Sequence, residues 1–95
     1  MPEQPDRRVW KYPMTEFTKT FTMPYYAKPV HFGMQGNLPT LWCEVDLRFR
    51  VEDERTFRIF GTGHAIPPKA EYVGTVQSGT FVWHLYELNV YQEAD

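Results

Sequence analysis

A chain of 95 residues with ten basic and twelve acidic side chains, formal charge -2, has room for one domain and no overall pull toward the phosphates of duplex nucleic acid. Its single cysteine, Cys43, excludes an internal disulfide and points to a reducing compartment. No run approaches the roughly 18 apolar residues of a membrane helix, and residues 1–8 hold no apolar leader core, so a soluble, cytoplasmic protein without membrane contact is expected.

Residues 1–8, with Pro2 and Pro5 among charges, read as a flexible arm. Residues 9–12 read as a short edge strand closed by Pro13. Over residues 16–23, Phe17, Lys19, Phe21 and Met23 fall on one face and Glu16, Thr18, Thr20 and Thr22 on the other, a period of two that predicts a strand. Pro24 and Pro29 interrupt it and argue against regular pairing between them. Residues 30–35 alternate again, with Val30, Phe32 and Met34 inward. After a turn at Gly36 and Asn37, residues 40–46 place Leu41, Cys43 and Val45 inward and Trp42, Glu44 and Asp46 outward, which predicts a hairpin.

Residues 47–54 are charged and read as an irregular connection. Residues 56–60 read as a strand with Phe57 and Ile59 opposite Arg58 and Phe60, ending at Gly61, Thr62, Gly63 and His64. A return through Pro67 and Pro68 leads to a strand over residues 71–77, a tight turn at Ser78 and Gly79, and a last strand over residues 81–88. That last strand is apolar on both faces, which predicts a central position or cover from another subunit. No stretch carries a helical apolar period. The expected fold is therefore all-β, a small antiparallel β-sandwich or barrel of about seven strands, with one domain over residues 9–90 and a tail over residues 91–95. A domain of this size buries only about 60–65% of its unfolded surface, so without a disulfide, self-association into a homo-oligomer is expected.

Two glycines around Thr62 allow the backbone a positive φ or a close approach to a ligand. A phosphate loop of the nucleotide-hydrolase kind needs Gly-Lys-Ser/Thr opening a helix, and His64 followed by Ala65, Ile66 and two prolines forbids one. Two readings remain: an anion nest from the Gly61 and Gly63 amides and the Thr62 hydroxyl, with Arg58 and His64 beside it, or a structural turn at a strand end. His31, His64 and His84 with Glu44 and Asp46 show no metal-site spacing, so neither metal nor cofactor is expected. No nucleophile stands in a catalytic constellation, and the chain reads as non-enzymatic, with no catalytic residue assigned. The aromatic content of three Trp, six Tyr and seven Phe is high enough that some rings must lie outside one small core. Tyr12, Tyr25 and Trp42 are the candidates for stacking a planar ligand.

The segments Trp10-Lys11-Tyr12-Pro13, Pro39-Thr40-Leu41-Trp42, Gly61-Thr62-Gly63-His64 and Val82-Trp83-His84 carry a resemblance to a family of short uncharacterised phage and bacterial proteins, spanning residues 10–87. Small phage proteins of this size include oligomeric sponges that sequester nucleotide immune signals, and the chain is similar to them in size, aromatic content and glycine loop. The resemblance implies a non-enzymatic binder of a small phosphorylated or nucleotide-like ligand. The alternatives are a module that docks a host or phage protein through exposed aromatics and, behind it, a small hydrolase using His64 and His84.

Overall fold

The structure, a computed structural model, describes residues 6–88. Seven strands follow in order: β1 (Arg7–Pro13), β2 (Thr18–Pro24), β3 (Lys28–Gln35), β4 (Leu38–Asp46), β5 (Glu52–Gly61), β6 (Glu71–Ser78) and β7 (Phe81–Leu88). They form two antiparallel sheets, of order β1-β4-β3 and β2-β5-β7-β6, and no helix occurs among the described residues. The expectation of an all-β sandwich of about seven strands is met. The central place predicted for the last strand is met as well, since β7 lies between β5 and β6.

Alternation decides the core. Leu41, Cys43 and Val45 on β4, Phe57 and Ile59 on β5, Met23 on β2 and Leu85 on β7 are buried between the sheets, joined by Tyr12, Met14, Ala27 and Phe32. Each large apolar side chain removed from water there contributes roughly 1.5–3 kcal/mol. Burial pushes the Cys43 thiol up to about 12, so it stays protonated at neutral pH and serves as a small apolar filler.

Several sequence expectations are corrected. β2 begins at Thr18, not residue 16, and Phe17 stands before it with 62% of its surface exposed. β5 begins at Glu52, inside the stretch expected to be irregular, because Pro24, Met23 and Thr22 pair with Glu52, Asp53 and Glu54. Pro29 does enter β3: this is an edge strand, where a missing N–H is tolerated, and the register shifts between Pro29 and His31. The shift leaves Val30 48% exposed, against its predicted inward position. Gly33, expected to face outward into solvent, is buried beneath the His31 ring, whose Nε2 would lie 2.5 Å from a Cβ built on it. Arg7 and Arg8, placed in the arm by the sequence, belong to β1 and pair with Asp46 and Val45; the expectations for residues 1–5 and for the tail over residues 91–95 lie outside the described residues.

The interior also holds a charge pair. Arg55 on β5 donates to Glu87 on β7 through Nε (2.7 Å) and Nη2 (2.8 Å) and through Nη1 to the Ala27 carbonyl (2.6 Å), with the two side chains only 17% and 20% exposed. A bidentate contact of this kind holds the Arg55 guanidinium above its ordinary pKa, chiefly through the hydrogen bonds to Glu87. Removing one partner strands the other in a poorly solvated place. We expect Glu87→Gln to lower unfolding free energy by about 2–4 kcal/mol and the paired change Arg55→Met with Glu87→Leu to cost less than the single one, measured by urea unfolding.

Candidate functional site

The end of β5 and the turn that follows bring together five of the eight residues singled out from the sequence: Arg58, Gly61, Thr62, Gly63 and His64. The Gly61 carbonyl accepts the His64 N–H (3.1 Å), closing a four-residue turn with Gly63 at φ 92°, the positive value that the third residue of a type II turn requires. The His64 ring folds back over Gly61, and its Nδ1 accepts the Gly61 N–H at 3.2 Å. A neutral His64 therefore carries its proton on Nε2. The Gly61 and His64 amides are thus used inside the turn, so an anion nest built on both glycine amides is not presented. What the turn presents outward is side chains.

The Thr62 hydroxyl lies 2.9 Å from His84 Nε2 on β7, His84 Nδ1 lies 3.0 Å from the Thr75 hydroxyl on β6, and Thr75 lies 2.7 Å from the Tyr72 hydroxyl. In a neutral His84 one imidazole nitrogen donates and the other accepts, so its contacts with Thr62 and Thr75 have opposite sense, and the four groups form a continuous chain across the sheet. It joins the glycine turn to a tyrosine two strands away.

Register explains why these groups share a face. Arg58 pairs with Tyr86 and Tyr86 with Tyr72, while Phe60 pairs with His84 and His84 with Thr75, so two rungs cross β5, β7 and β6 on the outer side of the sheet. With strands about 4.8 Å apart, a rung from Arg58 to Tyr72 spans about 10 Å. Phe60 is 3% exposed although it faces away from the core. It is covered by the Arg58 guanidinium, 4.9 Å above its ring, and by Tyr86, edge-on at 5.7 Å. Tyr72 meets Tyr86 at 5.5 Å and is 59% exposed. Arg58 is exposed and makes no ion pair among the described residues, in contrast to Arg7, Arg8, Arg48 and Arg55.

The remaining three candidates lie elsewhere. Tyr12 is a core residue, edge-on to Phe21 at 5.2 Å, with its buried hydroxyl lacking a hydrogen-bond partner and its pKa raised by that burial. It offers no open face for stacking. Trp42 lies on the outer side of the other sheet, tilted against His31 at 5.4 Å. Tyr25 follows Pro24 at the opposite end of β5, a ten-residue strand of roughly 30 Å. Sequence reading missed Phe60, Tyr72, His84 and Tyr86 as one surface; the available signal was that His84 and Tyr86 share one face of the last strand, as Arg58 and Phe60 share one face of residues 56–60. Among the described residues no group of three His, Cys, Asp or Glu side chains could hold a metal ion, and no helix is long and apolar enough to cross a membrane.

The turn geometry makes the two glycines unequal. A Cβ on Gly63 meets nothing within 4 Å, so Gly63→Ala costs only the left-handed backbone, about 1–2 kcal/mol in thermal or urea unfolding. A Cβ on Gly61 would lie 3.1 Å from His64 Cε1, a side chain that can swing away, so Gly61→Ala should cost less and release the His64 tautomer, read from its imidazole nitrogen shifts.

No curated protein and no solved structure matches the chain. A family model does match, over residues 5–94 and so over both sheets and the whole outer surface just described, and the chain accordingly belongs to the family described as Domain of unknown function (DUF7352).

Proposed function

We propose that this protein is a non-enzymatic binding protein whose outer β5-β7-β6 face takes a small phosphorylated or nucleotide-like ligand. The observation that carries the reading is an exposed guanidinium without an ion-pair partner, Arg58, in register with two tyrosine rings, Tyr86 and Tyr72. A phosphate oxygen bonds the guanidinium, a planar base covers Tyr72, and the Thr62, His84 and Thr75 groups beside that rung meet polar edges of the ligand. The one hydroxyl–imidazole pair on this face is Thr62 with His84 (2.9 Å), and the group on His84 Nδ1 is the Thr75 hydroxyl (3.0 Å) rather than a carboxylate that would support an imidazolium, so the reading is binding without turnover. In a phage-encoded chain such binding acts as a sponge for a bacterial immune signal.

Calorimetry against a panel of cyclic and linear nucleotides tests this. We expect stoichiometric binding by at least one nucleotide, recovery of that ligand unchanged by chromatography, and losses of about 1.5–3 kcal/mol for Arg58→Ala and about 1–3 kcal/mol for Tyr72→Ala. A folded protein that binds none of them sinks the reading.

A separate observation favours protein contact, including self-association, as a second reading. Phe17 and Phe81 are 62% and 60% exposed, Phe81 stacked on Trp83 at 5.2 Å and Phe17 edge-on to it at 5.6 Å, beside a groove of about 240 Å³ lined mostly by apolar side chains. Projecting rings next to an apolar groove are what an isologous interface needs. Sedimentation should show mass above the monomer that Phe81→Ser removes; a wild-type monomer at every concentration would count against self-association.

A further inference from the structure

A cavity of about 680 Å³ lies at the other end of β5, between the β2–β3 turn and the ends of β5 and β7. That size falls in the range of small-molecule sites, roughly 300–1,000 Å³. Its character is opposite to that of the Arg58 face. Arg55 and Glu87 stand in its wall, but they neutralise one another through two hydrogen bonds. Asp53, Glu54 and Glu71 also line it, and none of the three makes an ion pair among the described residues. Against them stands Lys28, which is the cross-strand neighbour of Glu44 and helps to hold that carboxyl below its usual range, after the larger effect of Arg7. The cavity therefore carries more negative than positive charge and repels phosphates.

Its mouth is aromatic. Tyr25 and Tyr26 lie at 5.0 Å with planes at 80°, and they are 40% and 71% exposed. Tyr26 adopts φ 65°, a left-handed backbone that an ordinary residue rarely takes, and it is the one described non-glycine residue to do so. An aromatic rim over carboxylates attracts a cation with an apolar body: the ring faces favour the charge through their quadrupoles, and the carboxylates supply charge and acceptors. We infer that this cavity is a binding site for an organic ammonium ligand, separate from the Arg58 face and selective against anions.

Spermidine is the probe, titrated into the full chain by calorimetry at constant ionic strength, with 1,8-octanediol as the uncharged comparison. We expect saturable one-to-one binding of spermidine, little response to the diol, and affinity about tenfold weaker in Asp53→Asn with Glu71→Gln. Tyr26→Gly, which suits the left-handed turn and so preserves the fold, should weaken binding in the same direction, whereas Arg58→Ala should leave it unchanged. Absence of binding to folded wild type overturns the inference. So does binding that neither variant weakens, the mark of diffuse attraction to a negatively charged chain, and so does equal affinity for the diol.

Discussion

One guanidinium holds the open end of the sandwich together. Arg55 lies on the inner side of β5, where an unpaired charge would be costly, and it finds a carboxylate on β7 and a carbonyl just before β3. The three bonds connect the second sheet to the entry of the first at a place where apolar packing has run out, since the core residues Phe57, Ile59 and Leu85 lie further along the strands. The arrangement sets register as well as stability. Sliding β7 by one residue along β5 would turn Glu87 to the outer face and leave Arg55 alone. It would equally turn Tyr86 and His84 inward, so the outer surface depends on the same pair.

That dependence links the two ends of β5. Toward Glu52 the strand contributes carboxylates to a wide cavity; toward Gly61 it contributes Arg58 and Phe60 to a solid outer face. The acidic and basic features are thus segregated along the strand, Asp53 and Arg58 lying about 17 Å apart, roughly two screening lengths of about 8 Å at physiological salt. A net charge of -2 conceals this division, because the sum says nothing of where the charges stand. Composition speaks against duplex nucleic acid only through the charge of the whole molecule, while a single exposed arginine is enough for a small anion.

The strands were legible wherever one face is apolar and the other polar, as in residues 40–46 and 56–60. They were not legible where a charged residue faces inward with a partner distant in sequence. Residues 52–54 looked like part of the charged connection because Glu52, Asp53 and Glu54 show no apolar face, and the inward Arg55 that follows has its partner Glu87 32 positions away. Phe60 failed in the opposite direction: an outward ring is buried by Arg58 and Tyr86 above the sheet, which no period-two pattern records. For the site, the glycine turn was visible as a break, and its proximity to Arg58 followed from three residues of strand. Tyr72, His84 and Tyr86 joined it only through the registers of β5 with β7 and β7 with β6, including a shift between Tyr72 and Gly74 that puts Tyr72 and Thr75 on one side. Tyr12 was misjudged because an edge strand with exposed neighbours still turns one ring into the core.

The glycine turn itself acquires a different role from that of a phosphate cradle. Its amides close on His64 and Gly61, and its effect on the outer face passes through one hydroxyl, that of Thr62 on His84. On the proposed reading, recognition then rests on one charged contact worth about 1.5–3 kcal/mol and on up to two stacked rings at about 1–3 kcal/mol each, before the cost of ordering the ligand. Such a sum reaches micromolar affinity only at its upper end, near 8 kcal/mol. A protein that must deplete a scarce signal needs more than an open face offers. Covering the ligand with a second such face would double the rings and exclude water from the guanidinium, so tight sequestration and self-association are coupled requirements rather than independent properties.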